Sequence, residues 1–312
     1  MIDLIDFTKY WATIFGYGGM SGKKKNIVID GKQYMLKFPD NLKLKNLKNV
    51  NLTYSNGAIC EWLGSHVYES IGIPVHHTFL GTYGDKTVVA CRHIYEDERL
   101  VSFAEFRNTL LDSTSPSSTS VSLPDVLESL SKMDEQVRGA KERFWDMFVV
   151  DAFIGNPDRN NGNWGFLFND VGVIPPLVSL APVYDNGSSF NPKWDEQKFA
   201  DFLNDGTKLK AAAYSGVVSI FTNEKERHIN PFKFIESGVS QDCTEAVLRI
   251  VPKINLEEVW GLIAELHDSG LIGEKQAEFY TTVTEKRLDE KLLPLYEKFC
   301  RAEEYAAPQM RM

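Results

Sequence analysis

Cysteine is scarce: four residues in 312, at Cys60, Cys91, Cys243 and Cys300, with no CxxC pair and no metal-ligand spacing. That excludes a disulfide scaffold and a zinc module, and it predicts reduced, mostly buried thiols of a cytoplasmic type of protein. Long apolar runs are missing too. The longest uncharged one, Val171–Tyr184, contains Pro175, Pro176 and Pro182, so no bilayer-spanning helix is expected. The opening residues Met1-Ile2-Asp3-Leu4-Ile5-Asp6 lack the basic flank of a secretory signal. Positive charge is in deficit, with 34 Lys+Arg against 43 Asp+Glu, net −9, which argues against a general nucleic-acid binder. Histidine is sparse as well. The one pair, His76-His77, reads as two structural residues on opposite faces of a strand.

What remains is an ordinary globular composition, 43% hydrophobic, 12% aromatic and 25% charged, enough for one or two domains. The charge is uneven. Residues 1–50 hold nine lysines and four acids, so a net +5 sits at one end of an acidic chain and asks for a local anionic partner.

The first third reads as β-rich. Asn26–Ile29 and Tyr34–Phe38 flank Asp30-Gly31, a hairpin turn signal. A helix is predicted over about Asn56–Ile71 with Ser55 as N-cap, and a second hairpin over His77–Ile94 through Gly84-Asp85. Helical spacing of Val137, Ala140, Phe144, Phe148 and Ala152 precedes Gly155, a suitable helix terminator. Two short strands are predicted at Trp164–Phe168 and Val178–Tyr184, then long helices over Leu256–His267 and Glu274–Glu304. Ser113–Ser122 reads as an exposed loop. The expected division is 1–97, a small α+β part, and 98–312, a larger helical part.

The most specific stretch is Asn156-Pro157-Asp158-Arg159-Asn160-Asn161-Gly162-Asn163, followed at a distance by Tyr184-Asp185-Asn186-Gly187. Asp158 falls just past a helix end, Asn163 opens a strand and Asp185 closes the next, so a hairpin would gather all three. Two carboxylates and an amide oxygen at a cleft suit a hard divalent cation that also binds phosphate oxygens. Phosphoryl transfer needs that set: one Asp for the acceptor hydroxyl, an Asn and a second Asp for Mg²⁺. Alone, the Asx-rich loop would read as turn-capping side chains; its spacing to the DNG triplet and two upstream features favour the chemistry.

The first of these features is Gly16-Tyr17-Gly18-Gly19-Met20-Ser21-Gly22-Lys23-Lys24-Lys25, glycine-rich and basic but not a Walker A motif. By itself it is equally a flexible hairpin tip. The second is Lys37, inside the apolar strand Tyr-Met-Leu-Lys-Phe, which must find a counter-charge or stay at an edge. Glu61 on the following helix is the natural partner, in the manner of a kinase Lys–Glu pair; taken singly, a snorkelling lysine and a solvent-facing glutamate are the plainer readings.

In this order, the glycine-rich loop, the LKFP lysine, Glu61 ahead of Gly72-Ile73-Pro74-Val75, NPDRNNGN and YDNGSS resemble the HipA-type serine/threonine kinases. The resemblance implies a bilobal protein-kinase-like α+β fold with ATP and Mg²⁺ as cofactors. It implies Asp158 as catalytic residue, Lys37 on the phosphates with Glu61 behind it, and Asn163 and Asp185 as metal ligands. It places Gly18, Gly19, Met20, Ser21, Gly22 and Lys23 in the phosphate loop, and Cys91 and His93 at a hinge that holds adenine. The acceptor would be Ser or Thr of a protein, with autophosphorylation expected and Ser21 a weak match for its site; export to a host cell is raised by the resemblance alone. Three departures stand out. Asn160 replaces a usual His, Ser21-Gly22 replaces Gln-Pro, and about fifteen residues precede Gly16 where HipA-type toxins carry a domain, which counts against an antitoxin partner.

Two alternatives stay open from sequence. A lipid or small-molecule kinase shares the DRxxxN pattern, and Lys43, Lys45 and Lys48 would then meet anionic headgroups. A nucleotide-binding interaction module with weak catalysis would fit the Asn160 departure. After Asn186, Phe190, Trp194, Phe199 and Phe202 line an acceptor groove or anchor the segment to the core, and the second is the commoner use of such aromatics. Lys23, Lys24, Lys25 and Lys37 together make a nucleoside triphosphate the expected anion.

Overall fold

A computed structural model describes residues 2–13, 24–44, 51–94, 98–111, 121–133, 137–169 and 177–306. The glycine-rich loop with Gly18–Lys23, the boundary near Asp97, most of the serine-rich loop, and Lys45 and Lys48 lie outside the described residues.

Alternation of apolar and polar residues builds a six-stranded sheet from β1 (Ile5–Asp6), β2 (Ala12–Thr13), β3 (Lys24–Ile29) and β4 (Lys32–Lys37), with α1 (Gly57–Ser70) between these and β5 (Thr78–Tyr83) and β6 (Lys86–Arg92). The spatial order is β1-β5-β6-β4-β3-β2, antiparallel except where β1 runs parallel to β5. The β3–β4 turn is the predicted Asp30-Gly31, at φ of 48° and 76°, the left-handed pair that a two-residue hairpin requires.

Period 2 sorts the strands' side chains onto two faces. One face, with Ile27, Tyr34, Leu36, Val88 and Ala90, closes over Phe7 in a small core. The other carries Met35, Lys37, Leu80, Val89 and Cys91 and meets α1, whose Ile59, Leu63 and Val67 join the main core. Ser55 does not cap α1: Asn56 precedes the helix, and the Ser55 hydroxyl instead accepts the Asp40 N–H at 3.1 Å.

A second sheet, β7 (Arg99–Ser102), β8 (Gly165–Asn169) and β9 (Leu177–Leu180), is antiparallel in the order β7-β8-β9. Its β7 strand is not expected from sequence, because four residues give too short a pattern to read. The predicted second strand of the pair stops at Leu180, and only Val183 continues as a parallel bridge to Val75. The helices are α2 (Phe103–Leu111), α3 (Leu123–Met133), α4 (Ala140–Ile154), α5 (Glu196–Leu203), α6 (Gly206–Lys210), α7 (Pro231–Ser237), α8 (Gln241–Ile250), α9 (Leu256–Asp268), α10 (Glu274–Arg287) and α11 (Leu293–Ala306). Together with the sheets they make the bilobal α+β kinase-like fold expected from the motif order.

Helix α4 is the central one: Phe144, Trp145, Met147, Val149, Val150 and Phe153 are buried all round it. It ends at Gly155, φ 68°, where a Cβ would lie 2.6 Å from the Arg287 guanidinium. Arg287 is 2% exposed, and among the described residues it has no carboxylate partner. It donates to the carbonyls of Phe153 (3.0 Å), Ala213 (2.8 Å) and Ala212 (3.1 Å), so it caps the end of α4 and the π-helical turn Ala211–Ser215. Burial lowers its pKa to about 9, which leaves it charged at neutrality. A second π turn, Leu288–Leu292, comes directly after Arg287 and splits the single helix predicted over Glu274–Glu304 into α10 and α11.

Candidate active site

Lys37 ends β4 on the face that meets α1, and Glu61 lies one turn into that helix. The Lys37 ammonium is 2.9 Å from Glu61 Oε2 and 2.8 Å from Asp185 Oδ1. The side chain of Glu61 is 1% exposed and that of Asp185 41%, so the lysine bridges a dry carboxylate to a wet one. The predicted Lys37–Glu61 pair therefore forms, and neither side chain points to solvent. Burial by itself would lower the Lys37 pKa. The Asp185 and Glu61 carboxylates outweigh it and hold the ammonium well above the usual lysine range. Burial likewise would raise the Glu61 carboxyl, but Lys37 and then His76 pull it well below its ordinary value.

Sequence reasoning misses one partner. His76, structural by its sequence context, places Nε2 3.0 Å from Glu61 Oε1. Its neighbour His77 is exposed, as alternation predicts. No local pattern in the sequence could signal this contact, since His76 lies just before β5, a full element away from Glu61. The Cys91 thiol completes the enclosure: its sulfur, His76 Nε2 and a Glu61 oxygen lie within 4.8 Å of one another, and burial raises its pKa so that it stays a neutral thiol.

The loop after α4 is ordered by a chain of amide contacts. Asn156 Oδ1 accepts the Asp158 N–H at 3.1 Å, Asn160 Nδ2 donates to Asp158 Oδ1 at 3.1 Å, and Asn160 Oδ1 accepts the Gly162 N–H at 2.9 Å. Asn163 Nδ2 donates to the Asp158 carbonyl at 2.8 Å, so the nitrogen end of its amide is committed to the loop. Asn160, the departure from the family pattern, thus touches the carboxylate of Asp158 itself.

Arg159 ties this loop to the next. Its guanidinium is 3% exposed and donates to Asp151 Oδ2 (2.8 Å) and Oδ1 (3.0 Å), to the Asn163 carbonyl (3.0 Å), to the Tyr184 carbonyl and to Asn186 Oδ1. Asp151 also accepts from Tyr68 at 2.8 Å and Asn156 at 3.1 Å. Burial disfavours the charge on Arg159, but Asp151 restores it and raises its pKa. The two loops that the hairpin argument brings together are joined by this one side chain.

Asp185 sits at φ 63°, a left-handed conformation costly for a residue other than Gly, Asn or Asp. Asn186 and Gly187 hold it there. The Asn186 N–H donates to Glu61 Oε1 at 3.0 Å, and Asn186 Nδ2 to Ser65 Oγ at 3.1 Å. At Gly187 a Cβ would come 3.0 Å from Glu61 Oε2, so glycine lets this loop lie against α1.

Other expectations are modified. Lys25 turns to the opposite face, donating to Tyr83 Oη at 2.6 Å, and does not join Lys37. The His93 N–H donates to the Gln33 carbonyl at 2.9 Å, and Cys91 pairs with both Met35 and Thr78 in the sheet; that N–H of the expected hinge is therefore committed to the protein. Phe190 and Phe199 are buried, and Trp194 packs on Phe199, Phe202 and Phe279. These aromatics anchor the segment after Asp185 to α10, the commoner of the two uses expected of them. Among the described residues, no helix is long and apolar enough to cross a membrane. Of the four cysteines, Cys60, Cys91 and Cys243 are buried and Cys300 half-buried, all unbridged.

Comparison with known proteins adds a family and a shared fold. Residues 15–250 match the HipA-like C-terminal domain. The chain is 33% identical over 277 residues to the serine/threonine-protein kinase CtkA of Helicobacter pylori strain J99, covering 87% of this chain and 81% of that protein. It superposes on the crystal structure of the proinflammatory kinase CtkA of Helicobacter pylori with a TM-score of 0.83 and 30% identity, over 96% of this chain and 99% of the other. HipA of Shewanella oneidensis MR-1, solved with HipB and operator DNA, shares the fold at a TM-score of 0.52 and 14% identity, over 92% of this chain and 70% of that one.

Proposed function

The chain belongs to the HipA-like C-terminal domain family, and from that premise we propose that it is a serine/threonine protein kinase using ATP and Mg²⁺. The kinase class rests on its relationship to CtkA. The observation that carries the chemical reading is the position of the Lys37 ammonium between Glu61 and Asp185, at 2.9 and 2.8 Å. A lysine held between a buried and an exposed carboxylate is an ammonium fixed at the border between dry and wet, a place that suits nucleotide phosphates.

The donor set fits Mg²⁺. The Asp185 carboxylate and the Asn163 amide oxygen are hard oxygen ligands, and Asp185 is exposed enough to share the ion with phosphate oxygens and water. When bound, the ion neutralises charge on the transferring phosphoryl group. The chain's own residues do the rest. Lys37 steadies the phosphates, Glu61 fixes Lys37, and Asp158 orients the acceptor hydroxyl and takes its proton. Arg159 holds both loops in one geometry, so that positioning rather than covalent chemistry supplies most of the rate. Residues 18–23 would cover the phosphates, with Cys91 and His93 near the base. We also read residues 1–97 and 98–312 as the two parts between which the nucleotide lies, and Ser or Thr of a protein as acceptor.

The test is ATP-dependent phosphate transfer by the wild type beside Asp158→Asn, with protein, lipid and small-molecule acceptors offered in parallel. Transfer to protein that falls by orders of magnitude in the variant is expected. Equal labelling by both proteins, or transfer confined to lipid or metabolite, would overturn the reading. Mapping phosphate on the chain itself then decides autophosphorylation.

A further inference from the structure

The Glu61 carboxylate is surrounded by three donors: Lys37 on Oε2, and the Asn186 N–H and His76 Nε2 on Oε1, the last two both at 3.0 Å. Lys37 and the Asn186 N–H can only donate, and the carboxylate between them is an acceptor. Nε2 of His76 therefore carries the hydrogen. The nearby Ser65 hydroxyl, 3.3 Å from the same nitrogen, also receives Asn186 Nδ2.

The backbone of His76 is tied to the same region. Its N–H donates to the Val183 carbonyl at 3.0 Å, and the Val183 N–H returns to Pro74 at 2.8 Å. Val183 is two residues before Asp185. A closed circuit results: His76 to Glu61, Glu61 to Lys37, Lys37 to Asp185, and back along the chain through Val183 to His76. Lys37 and Asp185 act on the nucleotide and metal in the proposed reaction, and Glu61 holds Lys37. His76 stands behind Glu61, and its side chain is only 3% exposed.

We propose that His76 is a positioning residue for phosphoryl transfer, orienting the Glu61 carboxylate so that its other oxygen holds Lys37 on the phosphates. This deepens the kinase reading and rests on it. The physical reason is the two-sidedness of a carboxylate. Rotation about the last torsion of a glutamate is soft, and Oε1 is steered by two donors, His76 Nε2 and the Asn186 N–H. Two directions of pull on one oxygen and Lys37 on the other fix the plane. Without the imidazole Oε1 keeps the Asn186 N–H alone, and the Cys91 thiol beside it donates too weakly to take the place of His76.

Removing the imidazole should lower kcat by about 10- to 100-fold through displacement of Lys37, with KM for the protein acceptor unchanged. The variants are His76→Ala, which has no donor, and His76→Gln, whose amide N–H reaches the same oxygen. His76→Met carries the same expectation as His76→Ala and fills the space if the smaller side chain prevents folding. The second readout needs no kinase activity: the rate at which an amine-reactive acyl reagent labels Lys37, followed by mass spectrometry. Release from Glu61 should speed Lys37 labelling several-fold in His76→Ala or His76→Met and leave it near wild type in His76→Gln. Unchanged labelling in the apolar variants overturns the proposal, as does a glutamine variant no better than they are. If the wild type transfers no phosphate, the kinase reading fails while the labelling comparison still decides the role of His76.

Discussion

The backbone N–H of Asn186 donates to Glu61 Oε1 at 3.0 Å, across 125 residues of sequence. The contact joins the loop that carries Asp185 directly to α1. Each residue of the Asp185-Asn186-Gly187 triplet then has a separate duty. Asp185 presents its carboxylate, Asn186 fastens the loop to Glu61, Ser65 and Arg159, and Gly187 lets the backbone pass beside the glutamate.

Gly187→Ala tests that last duty. Its Cβ would sit 3.0 Å from Glu61 Oε2 and 3.1 Å from the Gly57 carbonyl, tighter than packed atoms accept. A loss of about 1–3 kcal/mol in stability is expected from such overpacking. A fall in kcat of about 10-fold or more should accompany it, because the displaced group is the partner of Lys37. Urea unfolding and steady-state kinetics on the same preparation check both.

Asp185→Asn addresses the metal. The amide keeps the shape but loses the charge that Mg²⁺ needs. Titration with a fluorescent ATP analogue should show a wild type whose affinity rises with Mg²⁺ and a variant whose affinity does not. If both respond equally to the ion, Asp185 is not its ligand.

How far the sequence alone reaches can be judged from these residues. Lys37, Glu61, Asp158, Asn163 and Asp185 are legible as candidates because each stands at a recognisable offset from a turn or an element end. The Lys37–Glu61 contact comes from charge: a lysine in an apolar strand needs an acid, and the next helix offers one. His76 and Arg159 as hubs are not legible. Their partners come from several distant segments, and no spacing encodes which face of a β-strand meets which turn of a helix. Ser55 reads as a cap from sequence but is not one, because Asp40, fifteen residues earlier, competes for its hydroxyl. The single helix expected over Glu274–Glu304 is broken at Leu288 by a π turn, a change that hydrophobic periodicity does not reveal.

Arg159 and Asp151 form a buried ion pair at 2.8 Å, with side chains 3% and 7% exposed. Arg159→Met strands the aspartate, and a loss of about 3–5 kcal/mol is expected. Pairing it with Asp151→Leu removes the stranded charge, so the double variant should be more stable than the sum of the singles implies. Chemical denaturation of the four proteins measures the coupling; strict additivity would count against a shared network.

The Glu61 carboxyl titrates well below its usual 4.5 in the folded chain. A depressed acid means that the unfolded chain binds the proton more readily. Its stabilising contribution is therefore complete above the unfolded value and fades as pH falls below about 4.5. Subtracting the stability of Glu61→Gln from that of wild type cancels the other titrating groups. The difference should be flat from pH 8 to 5 and shrink from there to pH 3. A difference that instead grows toward acid pH would contradict the direction of the shift.

Arg287 lies beyond residue 250, where the match to the family domain ends. Yet its guanidinium donates to the carbonyl of Phe153, just ahead of the Asn156–Asn163 loop, and to those of Ala212 and Ala213 in the π turn. A protein trimmed to the family boundary would lose that cap together with α9, α10 and α11, leaving the last turn of α4 without this donor. The stretch matched by the family domain is thus shorter than the stretch that ties down α4, and a fragment that keeps this contact extends at least through Arg287.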